Sequence, residues 1–161
     1  MILHSKHNSV RIVHADGQTC VRKVFDNPSD WERELKLLRM FSGILDVPKV
    51  IRSVFGILLL EYRPHPTLLD ELERQEREGF SPDPWHALKS WILRAYGHSG
   101  LIPGDVNLRN FLWDAERKTI CGIDFEGYIP GIPSDALAQA AAFLPEYEPR
   151  SEEHTSGTPV T

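Results

Sequence analysis

Three side chains with oxygen ligands lie close together in the sequence between residues 105 and 124. Asp105 is followed five positions later by Asn110, and Asp124 comes directly after the apolar run Ile-Cys-Gly-Ile. A short polar turn separates the two parts, so the pattern predicts a β-hairpin with an acidic centre on either side. Carboxylate and amide oxygens are the ligands that Mg²⁺ prefers, and metal-assisted phosphoryl transfer requires such centres.

A charged pair is predicted far upstream of this hairpin. Lys23 lies in a strand-like run, and a helix is predicted from a capping box of Ser29 and Glu32 to about Phe41. On that helix the apolar residues recur at spacings of three and four, which defines a buried stripe. Glu34 lies beside the stripe and faces the protein body, where a carboxylate needs a partner; Lys23 is the natural candidate.

The elements around these residues predict an α+β protein. The pattern gives a first hairpin with its turn at Asp16-Gly17, two further strands, a proline-rich connector and mainly helices after it. The predicted strands cover residues 10–25, 50–54 and 57–62, the connector 62–66, and the helices 67–76, 85–95 and 134–144. The last residues, 148–161, are rich in Pro, Ser, Glu and Thr and predict a disordered tail.

The order and wording of these segments resemble the protein-kinase-like superfamily over residues 9–144. The local sequence Ile-Asp-Phe-Glu looks most like the aminoglycoside- and choline-type phosphotransferases and other small atypical kinases, while the short chain is also similar to the Bud32-like and RIO-like minimal kinases. The resemblance implies a minimal two-lobed kinase-like domain over 1–147. A small antiparallel β-sheet lobe would span about 1–62, and a mainly helical lobe with the catalytic hairpin about 63–147.

The resemblance also implies a role for each charged residue. Asp105 would orient an acceptor hydroxyl and receive its proton, and Asn110 with Asp124 would hold Mg²⁺ against the phosphates of ATP. Lys23 would bind the α- and β-phosphates while Glu34 holds it in place.

The resemblance also implies that the adenine lies between the lobes. Val21 and Leu112 would be its apolar neighbours, and the backbone of Glu61, Tyr62 and Arg63 would supply hinge hydrogen bonds.

Several positions depart from the pattern of the superfamily. No glycine-rich loop is present, since residues 5–9 read Ser-Lys-His-Asn-Ser, and Pro103 stands where a histidine is usual. Arg109 either reaches the transferred phosphate or is a solvated surface arginine; the sequence leaves both readings open. The chain between Phe125 and Ser134 is too short for a long activation segment.

Two functions of different class follow. The first is an ATP- and Mg²⁺-dependent phosphotransferase whose acceptor is a hydroxyl of a small molecule or a protein. The second is a catalytically weak or inactive pseudokinase that serves as a nucleotide-binding or protein-interaction module. The net charge of −5 gives no strong nucleic-acid signal. Neither a secretory signal nor an 18-residue apolar run is evident, which favours a cytoplasmic location.

Overall fold

A five-stranded antiparallel sheet forms the first part of the protein. The computed structural model describes the backbone of residues 2–4 and all of residues 8–143. The strands are β1 (Ile2–His4), β2 (Asn8–Ala15), β3 (Gln18–Phe25), β4 (Val50–Val54) and β5 (Ile57–Glu61), in the order β1-β2-β3-β5-β4. The predicted tail, 148–161, and most of the segment that replaces the glycine-rich loop, 5–7, lie outside the described residues.

The turn between β2 and β3 is the one that the sequence predicts. Asp16 and Gly17 both have positive φ, 53° and 79°. Two consecutive residues with positive φ make a turn whose twist matches that of the flanking strands, which is why Asp-Gly favours tight hairpins. The turn sets the register in which Lys23 lies opposite Val10 on one side and Leu58 on the other.

Helix α1 (Pro28–Phe41) covers the sheet, but it does not begin with the predicted capping box. Asn27 is the N-cap, and its side-chain oxygen accepts a hydrogen bond from the backbone N–H of Ser29 at 2.9 Å. Pro28 explains the difference, because proline favours the first helical position, so Ser29 already lies inside the first turn. Glu32 is exposed and has no capping role.

The predicted buried face of α1 is otherwise confirmed. Leu35, Leu38 and Phe41 are buried, Trp31 is half-buried, and Glu34 is completely buried.

The second part of the protein is mainly helical. Residues 62–66 form no helix or strand, and we propose the boundary between two lobes there. The helices are α2 (Leu68–Glu78), α3 (Asp83–Ser99) and α4 (Pro133–Ala141), and the short strands are β6 (Leu101–Pro103), β7 (Phe111–Asp114), β8 (Thr119–Gly122) and β9 (Tyr128–Pro130). Strand β7 pairs with β8 in the predicted hairpin, and β6 pairs with β9. Of the helices in the described residues, none is long and apolar enough to cross a membrane.

Trp91 of α3 is the centre of the core beneath the hairpin. Its ring stacks on Phe125 with centroids 6.0 Å apart and meets the edges of Phe41 and Phe111 at 5.9 and 5.5 Å. Gly122 at the end of β8 leaves room for this ring: a Cβ there would lie 2.8 Å from Cη2 of Trp91 and nearer still to Cζ2. The packing therefore places the residues just before Asp124 against the middle of α3.

Gly122→Ala should destabilise the protein, because the added methyl group must displace the indole of Trp91 from a filled core. Overpacking of this kind costs about 1–3 kcal/mol of unfolding free energy. Gly97→Ala, on the exposed face of α3 with no atom near the added Cβ, is the control, and we expect it to stabilise by up to about 1 kcal/mol. Urea unfolding measures both, and equal effects would contradict this account of Gly122.

Asn27→Ala should lower the unfolding free energy by about 1 kcal/mol, because a backbone N–H at the start of α1 loses its acceptor. Glu32→Ala should change it by less than about 0.5 kcal/mol, as is usual for exposed substitutions. Thermal and urea unfolding of both variants test the position of the cap, and the reverse order of effects would restore the capping box that the sequence predicts.

Candidate functional site

The predicted ion pair between strand and helix is present in the structure. Lys23 on β3 is 4% exposed and Glu34 on α1 is fully buried, and Nζ of the lysine lies 2.9 Å from Oε1 of the glutamate. The same Oε1 accepts a hydrogen bond from the backbone N–H of Phe125 at 3.2 Å. A single carboxylate oxygen therefore joins the sheet, the helix and the segment that follows the hairpin.

Asp124 completes a cluster of three charges, which we call the buried charge cluster: Lys23, Glu34 and Asp124. Its Oδ1 lies 3.3 Å from Nζ of Lys23, and its side chain keeps 20% of its surface exposed. Burial lowers the pKa of Lys23, but the carboxylates of Glu34, Asp124 and Glu126 outweigh this effect and raise the pKa above its ordinary value. The lysine is therefore a permanent cation held between two acids.

Glu34 is the member of this cluster whose charge is least favoured by its surroundings. Complete burial raises its pKa to about 7, and Asp124 adds to that rise, while Lys23 and the N–H of Phe125 oppose it. Its second oxygen, Oε2, is buried and has no hydrogen-bond partner among the described residues. Ionised Glu34 thus depends on Lys23 for most of its stabilisation.

A backbone hydrogen bond holds Asn110 next to the segment that ends at Asp124. Asn110 ends a short 3-10 turn, Leu108–Asn110, and its carbonyl oxygen accepts a hydrogen bond from the N–H of Ile123 at 3.0 Å. Asn107 caps this turn, since its side chain accepts from the N–H of Arg109 at 2.9 Å. The side chain of Arg109 is exposed and makes no ion pair within residues 8–143.

Asp105 lies in the loop between β6 and the 3-10 turn and is exposed. The N–H of Gly104 donates to the carbonyl of Gly127 at 2.9 Å, which ties this loop to the chain just beyond Asp124. No hydrogen bond or ion pair of the described residues joins the Asp105 carboxylate to the buried charge cluster. The structure therefore brings Lys23, Glu34 and Asp124 into contact, places Asn110 next to them and leaves Asp105 on the neighbouring loop.

The expected metal ligands are few. No group of three or more His, Cys, Asp and Glu side chains within the described part of the chain could hold a metal ion by itself. Asp124 nevertheless has a free acceptor, because its Oδ2 takes no hydrogen bond from these residues, and the backbone of Asn110 is joined to Ile123, the residue before Asp124. Mg²⁺ usually takes only one or two carboxylates and completes its shell with phosphates and water, so this donor set fits Mg²⁺ held partly by a nucleotide.

The residues expected around the adenine fall into two groups. Val21, half-buried on β3, and Leu112, buried on β7, are apolar residues of the two parts of the protein. Arg63 instead uses its guanidinium on Asp46 at 2.8 Å and on Glu61 at 2.9 Å. The side chains of Glu61 and Arg63 are thus taken up by ion pairs, and Tyr62 between them is 37% exposed. The backbone N–H of Glu61 is also taken, since it donates to the carbonyl oxygen of Lys49 at 2.9 Å.

Two contacts at this site have no signal in the sequence. Nδ2 of Asn8, at the start of β2, donates a hydrogen bond to Oε2 of Glu126, two residues after Asp124. Gln139 of α4 bonds the backbone on both sides of Asp105. The partners in the first contact are 118 positions apart, so no local spacing could have indicated it.

Comparison with known proteins supports the fold. No protein-family model and no curated protein sequence matches the chain. The Rio2 kinase of Chaetomium thermophilum, in a complex with ADP/Mg²⁺ and phosphoaspartate, has a similar structure with a TM-score of 0.67 and 19% identity, over 91% of this chain and 55% of that one. The PK-1 kinase of the Cydia pomonella granulovirus gives a TM-score of 0.64 and 16% identity, over 80% of this chain and 53% of that one.

The chain therefore has a minimal protein-kinase-like α+β fold, as the sequence predicts. It spans about half the length of either kinase.

The unfolding free energy of the metal-free protein should carry a signature of Glu34. A carboxyl whose pKa rises from 4.5 in the unfolded chain to about 7 in the folded protein stabilises fully below pH 4.5 and loses that contribution as the pH rises through 7. Relative to Glu34→Gln, the wild-type protein should lose up to about 3 kcal/mol across this range, at about 1.4 kcal/mol for each pKa unit.

Urea unfolding of both proteins in EDTA between pH 4.5 and 8 measures this difference. Parallel curves would show that Glu34 keeps an ordinary pKa in the fold.

Proposed function

We propose that the protein is an ATP- and Mg²⁺-dependent phosphotransferase that transfers the γ-phosphate to a hydroxyl group of a small molecule or a protein. The observation that carries the proposal is the buried charge cluster. A lysine held between two carboxylates, one of them partly open to solvent, is suited to binding phosphate while a metal is held beside it. The kinase-like fold supports the same assignment.

The division of roles follows from burial. Lys23 is fixed by Glu34, so its ammonium group needs no rearrangement to meet the α- and β-phosphates of ATP, and preorganised charge of this kind is the main source of catalysis in phosphoryl transfer. Asp124 and Asn110 would hold Mg²⁺, which would neutralise charge on the phosphates when bound. The two residues flank the β7–β8 hairpin that Trp91 supports.

Asp105 would act on the acceptor, and its exposure on the adjoining loop supports this role. In the proposed reaction the acceptor oxygen forms a bond to the γ-phosphorus, and the bond from that phosphorus to the β–γ bridging oxygen breaks. The proton of the acceptor hydroxyl passes to a carboxylate oxygen of Asp105, and ADP leaves with the electron pair of the broken bond. Arg109, exposed four residues further on, is a proposed contact for the transferred phosphate.

A pseudokinase is the alternative, and one observation favours it. Lys23 pairs with Glu34 at 2.9 Å and with Asp124 at 3.3 Å, so its charge has partners within the protein and does not require a phosphate. In this reading the fold is a nucleotide-binding or protein-interaction module. The two readings differ in ATP turnover.

Asp105→Asn and Asp124→Asn should separate the two roles. Asp105→Asn removes the proton acceptor but no phosphate or metal contact, so the affinity for Mg²⁺-ATP should stay within about twofold while turnover falls roughly 10²- to 10⁴-fold. Asp124→Asn should abolish the Mg²⁺-dependent part of binding. Calorimetric titration of ATP with and without Mg²⁺ measures binding, and hydrolysis of ATP to ADP, in which water replaces the acceptor, measures turnover.

Asp26→Asn is the matched control, since Asp26 is exposed and makes no ion pair within the described residues. Nucleotide binding without turnover in the wild-type protein would favour the pseudokinase, and equal losses of binding in both site variants would overturn the division of roles.

A further inference from the structure

One side chain of α4 makes hydrogen bonds to the backbone on both sides of Asp105. Oε1 of Gln139 accepts a hydrogen bond from the backbone N–H of Val106 at 2.8 Å, and Nε2 of the same amide donates to the carbonyl oxygen of Gly104 at 3.3 Å. A primary amide offers a donor and an acceptor side by side, which among uncharged side chains only Asn and Gln provide. The peptide groups before and after Asp105 are therefore fixed by a single residue.

We propose that Gln139 is the positioning residue of Asp105, an inference that rests on the phosphotransferase function proposed above. Asp105 is exposed, and its own carboxylate makes no hydrogen bond with the described residues. The direction of this carboxylate thus depends on how firmly the backbone at Gly104 and Val106 is held. Gln139 holds both of these residues at once.

The loop depends on these hydrogen bonds because its own residues supply few others. Pro103, the residue that enters the loop, has no N–H to donate, and it replaces the histidine that the resemblance leads one to expect. The loop is otherwise tied by the hydrogen bond from Gly104 to Gly127 and by the buried side chain of Val106. Gln139 of α4 therefore supplies hydrogen bonds to the loop that Pro103 cannot supply.

Helix α4 is built to bring the amide to this point. Ala136 and Ala140 are its buried residues, and α4 packs against α3 and β6, the strand that ends at Pro103. Small side chains on the packed face let the helix axis lie close to the loop. Gln139 lies next to Ala140 and is half-buried, so its bonds to the loop are partly shielded from competing water.

Gln139→Met tests this role because it keeps the length of the side chain and removes both polar groups. A displacement of the catalytic group by about 1 Å costs roughly 100-fold in rate, so kcat for ATP hydrolysis should fall roughly 10- to 100-fold. KM for ATP and the calorimetric affinity for Mg²⁺-ATP should stay within about twofold, because the buried charge cluster is untouched. Asp135→Asn, an exposed change on the same helix, is the control and should leave both constants unchanged.

The double variant separates positioning from simple stabilisation. In an Asp105→Asn background, Gln139→Met should lower turnover no further, because Gln139 acts only through Asp105. The backbone N–H of Val106 should also lose its protection from hydrogen exchange in Gln139→Met. Gln139→Glu, which keeps the acceptor for Val106 and loses the donor to Gly104, should show an intermediate loss of kcat and serves if the methionine variant fails to fold.

The outcomes are distinct. An active wild-type protein whose kcat is unchanged in the Gln139 variants overturns the positioning role and leaves the proposed function standing. Additive losses in the double variant overturn it as well. A wild-type protein that binds Mg²⁺-ATP but turns none over overturns the proposed function, and the positioning role falls with it.

Discussion

The structure depends on keeping one lysine charged in an interior that excludes water. Moving an ion out of water costs several kcal/mol, so Lys23 is tolerable only because Glu34 and Asp124 lie within 2.9 and 3.3 Å of its ammonium group. Each of the three residues belongs to a different element: the sheet, the helix packed on it and the loop after the hairpin. A shift of the strand or of the helix would leave a buried charge without its closest partner, which is costly in a protein interior.

The aromatic core and the charge cluster support each other through Phe125. Its side chain stacks on Trp91, while its backbone N–H donates to Glu34. Packing of the ring therefore fixes the peptide that follows Asp124, and the hydrogen bond fixes the buried carboxylate. The charge cluster thus rests on the aromatic core, whereas Asp105, the proposed proton acceptor, lies outside it on an exposed loop.

The sequence predicts the parts of the site that follow from local periodicity. The phase of α1 turns Glu34 inward, the Asp16-Gly17 turn sets the register of Lys23, and the run of β8 ends just before Asp124; each of these rests on residues a few positions apart. The predicted start of α1 was wrong, because the preference of Pro28 for the first helical position outweighs the capping-box pattern of Ser29 and Glu32.

The bonds of Asn8 and Gln139 could not be predicted. Each joins segments far apart in the chain, 118 positions in one case and more than 30 in the other, and neither residue type has a spacing rule. The assignment of chemistry to the candidate site residues remains a proposal, whereas the fold that holds them is established.

The long separation in sequence between Lys23 and Asp124 has a consequence for the synthesis of the protein. Lys23 and Glu34 are only 11 residues apart, but Asp124 follows Lys23 by 101. A chain made from its N-terminus at the ribosome therefore presents the lysine and glutamate well before their third partner emerges. During that interval the charge cluster lacks one of its two acids. A product that stops before the hairpin carries the pair without the second acid, so the complete charge cluster requires the chain as far as Asp124.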